Sequence, residues 1–514
     1  MADNTFYSIL FKEPQDQTEG EKLKAPDFFG DLNCHQIVEG ITADAEEYNL
    51  KPFFYAPLKR TDAIAYRHEV MRDLENPFLL ERVNSFARKM RVMRRRLVRG
   101  LKISYKEERQ AWFLESAEIY CGAIDSFTDD LARADLKSHG FLAFHDYLKG
   151  YAGSARFALL SSETKSLKAD LSKVKYSVLI KNNGFTVRKY GSEPDYSAKI
   201  EKIFERFKQN DARDYSADPE GGGSMNHIEG KIVEFVAKLY PGLFSRLDEY
   251  CIRHSKYVDK TIAAFDREIQ FYVAYLNYIS PLKQAGLDFC YPRVSEKGGE
   301  IYDFGGFDIA LARKLIEEDS LIVCNDFQLM NGERIMAVSG PNQGGKTTFA
   351  RAFGQLHYFG SLGLTVPGNK AQLLLFDKLF THFEKEEAVE NLRGKLEDDL
   401  MRIHNILDRA TPRSIIVLNE IFASTTLHDE IFLSRKVMEK ISAMDALCVW
   451  VTFVEELISF NSKTVSMVST VDPENPATRT FKIVKKPADG LAYAVAIARK
   501  YRLTYDLIKK RIQP

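Results

Sequence analysis

Hydrophobic positions recur along this chain at two different periods, and the change of period divides it. Between residues 79 and 135 the spacing is helical: Phe86, Met90, Met93, Leu97 and Leu101 fall on one stripe, which predicts long helices that bury it. Residues 61–74 carry Ile64, Val70, Met71 and Leu74 in the same way, with Thr61 or Asp62 placed to cap the helix. A further helix is predicted from Ile228 to Tyr240, ended by Pro241-Gly242. Leu243 to about Lys283 then keeps a helical period for roughly forty residues, a length that suits a lever or coiled-coil arm. Residues 171–190 break the pattern. Tyr176, Val178 and Ile180 alternate, Asn183-Gly184 suits a type I′ turn, and Phe185 and Val187 alternate after it, so a β-hairpin is expected near 174–190. The stretch DARDYSADPEGGGS, 211–224, reads as a loop or hinge. Phe28, Phe29 and Leu32 would anchor the N-terminal segment on its neighbour.

Near Gly286 the pattern changes to short apolar runs, glycines and turn signals, with strands alternating with helices to the end. Ile335–Val338, Ser414–Leu418 and Leu447–Val451 are unbroken apolar runs, as buried parallel strands are. Val465–Val468 and Phe481–Val484 form a later strand pair, and two helices joined near Arg502 close the chain. The expected division is an N-terminal segment (1–50) packing on the core, a mainly α-helical core and lever region (51–284), and an α/β domain (285–514).

Composition narrows this little. Lys+Arg and Asp+Glu are 72 each, so any basic surface must be local. Six cysteines are scattered without a C-x-x-C pair, which argues against a zinc ribbon or disulfide framework and suits a reducing cytosol. The start MADNTFYSIL lacks the basic and apolar regions of a secretory signal, and no apolar run reaches the roughly 18 residues of a membrane span. A cytoplasmic protein with no membrane partner is expected.

The candidate chemistry lies between the first strand and the following helix. Gly340-Pro341-Asn342-Gln343-Gly344-Gly345-Lys346-Thr347, followed by Thr348, fits G-x-x-x-x-G-K-[ST]. Glycines let successive N–H groups face one point, and the helix aims its positive end there. Lys346 adds a charge for β- and γ-phosphates, and the Thr347 hydroxyl is suited to Mg²⁺. At the end of the strand Ser414–Leu418, Glu420 is placed to polarise an attacking water. Asn419 stands where an Asp usually holds the metal, and its neutral oxygen predicts weaker metal affinity. Thr452, after the third strand, is within reach of the same site. In the helical region Arg94, Arg95 and Arg96 lie with Arg88, Lys89, Arg91, Arg99 and Lys102 on a basic face that suits phosphate backbones, or is simply solvated.

These segments resemble the MutS family of ABC-type P-loop ATPases. VSGPNQGGKTTFARAFGQLHYFGSLGLTVPG is similar to that family's Walker A loop and helix, including the G-x-x-V-P turn at Gly363–Pro367. Val417–Thr426 resembles its Walker B segment, Asp429 the acidic residue of the loop that crosses to the partner subunit, and the tail its dimerising helices. PLKRTDAIAYRHEVMRDL resembles the core segment before the family's lever helices. The resemblance implies ATP and Mg²⁺ as ligands, a homodimer with composite ATP sites, and DNA as partner, double-stranded and branched or distorted. ATP binding and hydrolysis would drive a clamp-like change in mismatch repair, recombination or branched-DNA processing.

Three departures temper this. Asn419 replaces the Walker B Asp, Phe453 replaces a His that helps sense the γ-phosphate, and Arg393–Glu397 lacks the Ser and Thr of the signature loop, leaving Lys395 as the cation offered in trans. ATP binding with slow hydrolysis is expected. The other reading the residues allow is a nucleotide-gated clamp or scaffold that hardly hydrolyses. Because core-like sequence starts by about residue 50, a short member without the mismatch-reading domain is expected.

Overall fold

The computed structural model describes residues 6–17, 24–181, 184–191, 225–296, 299–330, 332–384, 394–475, 478–487, 503–505 and 508–509. The loop 211–224, Asn183, Arg393 and most of the closing helices therefore lie outside the described residues. The chain forms two compact units that do not follow a single cut at 285. Among the described residues, one comprises those of 76–136 and 142–266; the other comprises those of 6–75, 137–141 and 267–514.

The first unit is helical. Pro77–Leu101 and Lys106–Arg133 pack side by side, with Phe86 stacked on Phe127 at 4.4 Å and Phe144 stacked on Phe265 at 3.5 Å. Phe86, Met90 and Met93 are buried as the stripe predicts, but Leu101, at the helix end, is 79% exposed. The expected hairpin is present as β1 (Tyr176–Lys181) and β2 (Gly184–Lys189), antiparallel with Ile180 opposite Phe185. A single forty-residue arm is not. His227–Leu239 and Pro241–Arg253 are separate helices, as Pro241-Gly242 predicts, because a proline missing its N–H sits comfortably at the first position of a new helix. Residues 254–259 then break the chain before Lys260–Gln284: Asp259 Oδ1 accepts from the amides of Thr261 and Ile262 and so starts the next helix afresh.

The second unit is α/β. Its strands are β3 (Phe289–Cys290), β4 (Arg293–Ser295), β5 (Ile301–Gly306), β6 (Asn325–Leu329), β7 (Ile335–Ser339), β8 (Val366–Pro367) and β9 (Lys370–Leu374). They continue with β10 (Leu379–His382), β11 (Ile415–Asn419), β12 (Leu447–Val451), β13 (Thr464–Val471) and β14 (Arg479–Lys485). Among the described residues, six strands make one sheet in the order β10-β11-β12-β7-β13-β14, parallel except for the antiparallel last pair. The residues of β7, β11 and β12 are all buried, which explains their unbroken apolar runs. Trp450, Leu418, Ile416 and Met438 fill the core on one face.

The helix Lys346–Ser361 is held along its length. Phe29 meets Tyr358 at 5.3 Å, Gln355 donates to Leu32 O at 2.9 Å and Arg351 to Asp31 O at 2.9 Å, so the expected aromatic anchors do fix the N-terminal segment, here onto this helix. At its carboxyl end the buried Arg67 donates to Leu362 O at 2.7 Å, where a cation favours the helix dipole, and to Leu10 O at 3.0 Å. Arg67 lies on helix Thr61–Leu74, whose Ile64, Val70, Met71 and Leu74 are buried as expected. Neither Thr61 nor Asp62 caps that helix; Arg60 is the N-cap, and the Asp62 carboxylate pairs with Lys12 at 2.7 Å and Arg60 at 2.5 Å instead.

Candidate functional site

Strand pairing brings the candidate residues together. Val338 on β7 lies opposite Val451 on β12, which lies opposite Asn419 on β11, so three parallel strands end at one level. Crevices at the carboxyl ends of such strands are where α/β sheets bind ligands. The loop 340–345 leaves β7 there and opens the helix Lys346–Ser361.

Its backbone is folded by necessity rather than choice. Gly340 (φ 120°), Gln343 (φ 59°) and Gly345 (φ 88°) are left-handed. A Cβ on Gly344 would stand 2.3 Å from Ser469 Oγ and 2.9 Å from Pro341 O. Ser469, buried on β13, donates to Gly344 O at 2.6 Å and pins the loop from beneath. Lys346 is buried, and its ammonium donates to the carbonyls of Gly340 (3.1 Å) and Pro341 (3.0 Å) and lies 4.3 Å over the ring of Phe453. Burial lowers its pKa, Glu420 opposes that, and Arg479 adds to it.

Thr347 Oγ1 donates to Asn419 Oδ1 at 2.9 Å, which places side by side the two oxygens expected at the metal. Next to them Glu420 takes a left-handed φ of 52°, held by its amide donating to Val451 O at 2.9 Å. A second left-handed residue, Phe422 (φ 63°), follows. Non-glycine residues in this region are costly and collect at functional sites. Thr452 is buried, and its hydroxyl accepts from the amide of Val454 at 3.0 Å. Glu430, across from Glu420, has its carboxyl raised by burial and then by that neighbouring charge.

Asn342, Gln343, Gly344, Gly345, Lys346, Thr347, Thr348 and Glu420 line one cavity of about 680 Å³ together with the apolar Leu311, Leu315, Leu321 and Phe481. A lining that combines polar loop groups with apolar side chains suits a ligand with an anionic end and a flat apolar one. The residues fit a nucleoside polyphosphate with a divalent ion. The loop is closed to any side chain at 344, the buried ammonium faces the same space, and a hydroxyl and an amide oxygen stand together for a cation.

The remaining candidates are elsewhere. Lys395 begins helix Lys395–Arg409 and is ion-paired to Glu384. Asp429 lies in the first turn of helix Leu427–Met444, where its amide donates to the capping Thr426 Oγ1 at 3.3 Å. Of the basic triplet in the helical unit, Arg94 is ion-paired to buried Asp266 and Arg96 to Glu115, while Arg95 is exposed. Sequence reasoning missed Ser469, Arg479 and Phe481, which reach the loop from β13 and β14 across more than a hundred residues; no local spacing signals them.

The model of MutS domain V matches residues 336–512. The DNA mismatch repair protein MutS of Streptococcus pneumoniae is 26% identical over 220 residues, covering 41% of this chain and 26% of that protein. The DNA mismatch repair protein HexA of the same species gives the same figures. MutS of Orientia tsutsugamushi is 26% identical over 217 residues, covering 41% of this chain and 24% of its own length. The chain thus spans about a quarter of the length of the relatives it matches. These matches relate residues 336–512 to domain V of the MutS family. Among the described residues no helix is long and apolar enough to cross a membrane.

Proposed function

We propose that this protein binds ATP with Mg²⁺ at the loop 340–348, hydrolyses it slowly, and uses that cycle to govern its hold on DNA. The observation that carries the reading is the convergence of Lys346, Thr347 and Glu420 on one cavity, with Asn419 bonded to Thr347, above a loop with no room for a side chain at 344. Lys346 would hold the β- and γ-phosphates once its contacts to Gly340 and Pro341 exchange for phosphate oxygens. Thr347 and Asn419 would hold Mg²⁺, which when bound neutralises charge on the phosphate oxygens. Glu420, held at a left-handed φ in the cavity lining, would take a proton from an attacking water. Phe453 offers a ring face where the family has an imidazole, so no proton-bearing group stands at that position, in keeping with slow turnover.

MutS and HexA are named for DNA mismatch repair, and double-stranded DNA, branched or distorted, is the partner proposed for this chain. A homodimer fits the exposed Leu427 and Phe432 beside Asp429, with Lys395 and Asp429 acting across the interface. Binding of homoduplex, mismatched, forked and four-way DNA, each with and without ATP, tests the reading. ATP should change the affinity for at least one of them, and DNA should raise the hydrolysis rate above a Glu420→Ala control. Affinities untouched by ATP on all four would rule it out.

A further inference from the structure

The hairpin β13–β14 sets a second cation at the phosphate loop. Arg479, at the start of β14, donates through Nε to the carbonyl of Asn342 at 3.1 Å, and Asn342 lines the cavity with Lys346, Thr347 and Glu420. The hairpin is well fixed there. Ser469 on β13 holds Gly344 O, and the hydroxyls of Thr470 and Thr480 are 2.6 Å apart. Phe481, with φ 57°, packs its backbone against Gly345, and its carbonyl accepts from Asn325 Nδ2 at 3.1 Å. The charge of Arg479 is near enough to Lys346 for the two to repel.

The charges around the loop are then unusual for a metal–polyphosphate site. Lys346 and Arg479 are cations, Glu420 is an anion, and Asn419, beside the Thr347 hydroxyl, brings no charge to hold a divalent ion. A guanidinium offers N–H donors in a planar fork that matches phosphate oxygens, and it stays charged at any working pH.

We propose that Arg479 is a further polyphosphate-binding residue, supplied from within the same chain, whose fixed charge stands in for part of the charge that a metal held by Asn419 supplies weakly. The inference rests on the ATP site proposed above. It has a consequence for ligand choice: the site takes a nucleoside triphosphate even when divalent metal is scarce.

The test is equilibrium binding of ATP to the full chain, in Mg²⁺ and in EDTA, for the wild type, Arg479→Ala and Arg479→Gln. The wild type should bind in both buffers. Loss of a charge-assisted contact should weaken Arg479→Ala by about tenfold to a hundredfold in EDTA, and by less in Mg²⁺. Arg479→Gln keeps a donor for the Asn342 carbonyl without the charge and should bind as weakly as the alanine variant. Should Arg479→Ala fail to fold by circular dichroism, the glutamine variant carries the test. Wild-type affinity in either variant in EDTA overturns the proposal, as does an equal loss in both buffers, or a wild type that binds in Mg²⁺ and not in EDTA. A wild type that binds ATP in neither buffer removes the ATP site itself, a result distinct from these.

Discussion

A single methyl group at residue 344 separates steric closure of the loop from its backbone conformation. Gly344 is not among the left-handed glycines, so alanine costs nothing in φ; its effect must come from contacts. The added Cβ would lie 2.3 Å from Ser469 Oγ, 2.9 Å from Pro341 O and 3.2 Å from Ser469 Cβ. The first distance is about 1 Å too short, and the loop cannot lift away without breaking the 2.6 Å bond from Ser469 to Gly344 O. Overpacking of this kind costs about 1–3 kcal/mol. Ser469→Ala alone should cost about 1 kcal/mol for the lost hydrogen bond. In the double variant the worst clash is gone, but the contact with Pro341 O remains. Gly344→Ala with Ser469→Ala should therefore be less damaging than the sum of the single changes, by about 1 kcal/mol. Urea unfolding of the four proteins measures this, and ATP affinity should fall in the order of loop displacement, Gly344→Ala being weakest. A Gly344→Ala protein with wild-type stability and affinity, or a strictly additive double variant, would refute the packing argument.

Asn419→Asp restores a charge beside Thr347 without changing shape, and should lower by about tenfold the Mg²⁺ concentration at which the metal's strengthening of ATP binding is half complete; a metal titration followed by nucleotide fluorescence reads it. Burial, and then the nearby Asp326, raise the Asp303 carboxyl from its usual 3.8 to about 8. The folded state thus keeps a proton that the unfolded chain has lost, so stability should fall as pH rises from about 4 to about 8, by at most about 1.4 kcal/mol per pH unit, and Asp303→Asn should flatten that slope in melts at stepped pH. Arg95→Ala should reduce DNA affinity and its salt dependence in a filter-binding series, without changing the melting temperature. Arg94→Ala should instead lower the melting temperature, since it removes an ion pair to the buried Asp266.

The parts of this molecule that could be read from sequence are those in which one local pattern decides the structure. β7, β11 and β12 are buried on both faces, so their apolar runs were plain, and the turn pair at 183–184 placed a hairpin by itself. The loop 340–347 and the strand-end pair Asn419–Glu420 were legible because their chemistry needs fixed spacing. What escaped was long-range. The helical period from Leu243 onward hid the break at 254–259, because a cap such as Asp259 leaves the apolar spacing on either side intact. That Phe29 and Leu32 anchor the N-terminal segment was legible, but their partner, the loop helix, and the buried Arg67 at its end lie some three hundred residues away. Ser469 and Arg479 belong to a strand pair whose sequence reads only as strand. Arg94 and Arg96 looked like parts of a basic face because their acidic partners lie on other helices.

The central claim is that a nucleotide is held by the loop through Lys346. Calorimetric titration of ATP·Mg²⁺ into the wild type and Lys346→Ala tests it most directly. The wild type should bind with saturation, and the variant, deprived of a buried charge-assisted contact, should bind at least about tenfold more weakly. Equal affinities, or no binding by the wild type, would contradict it.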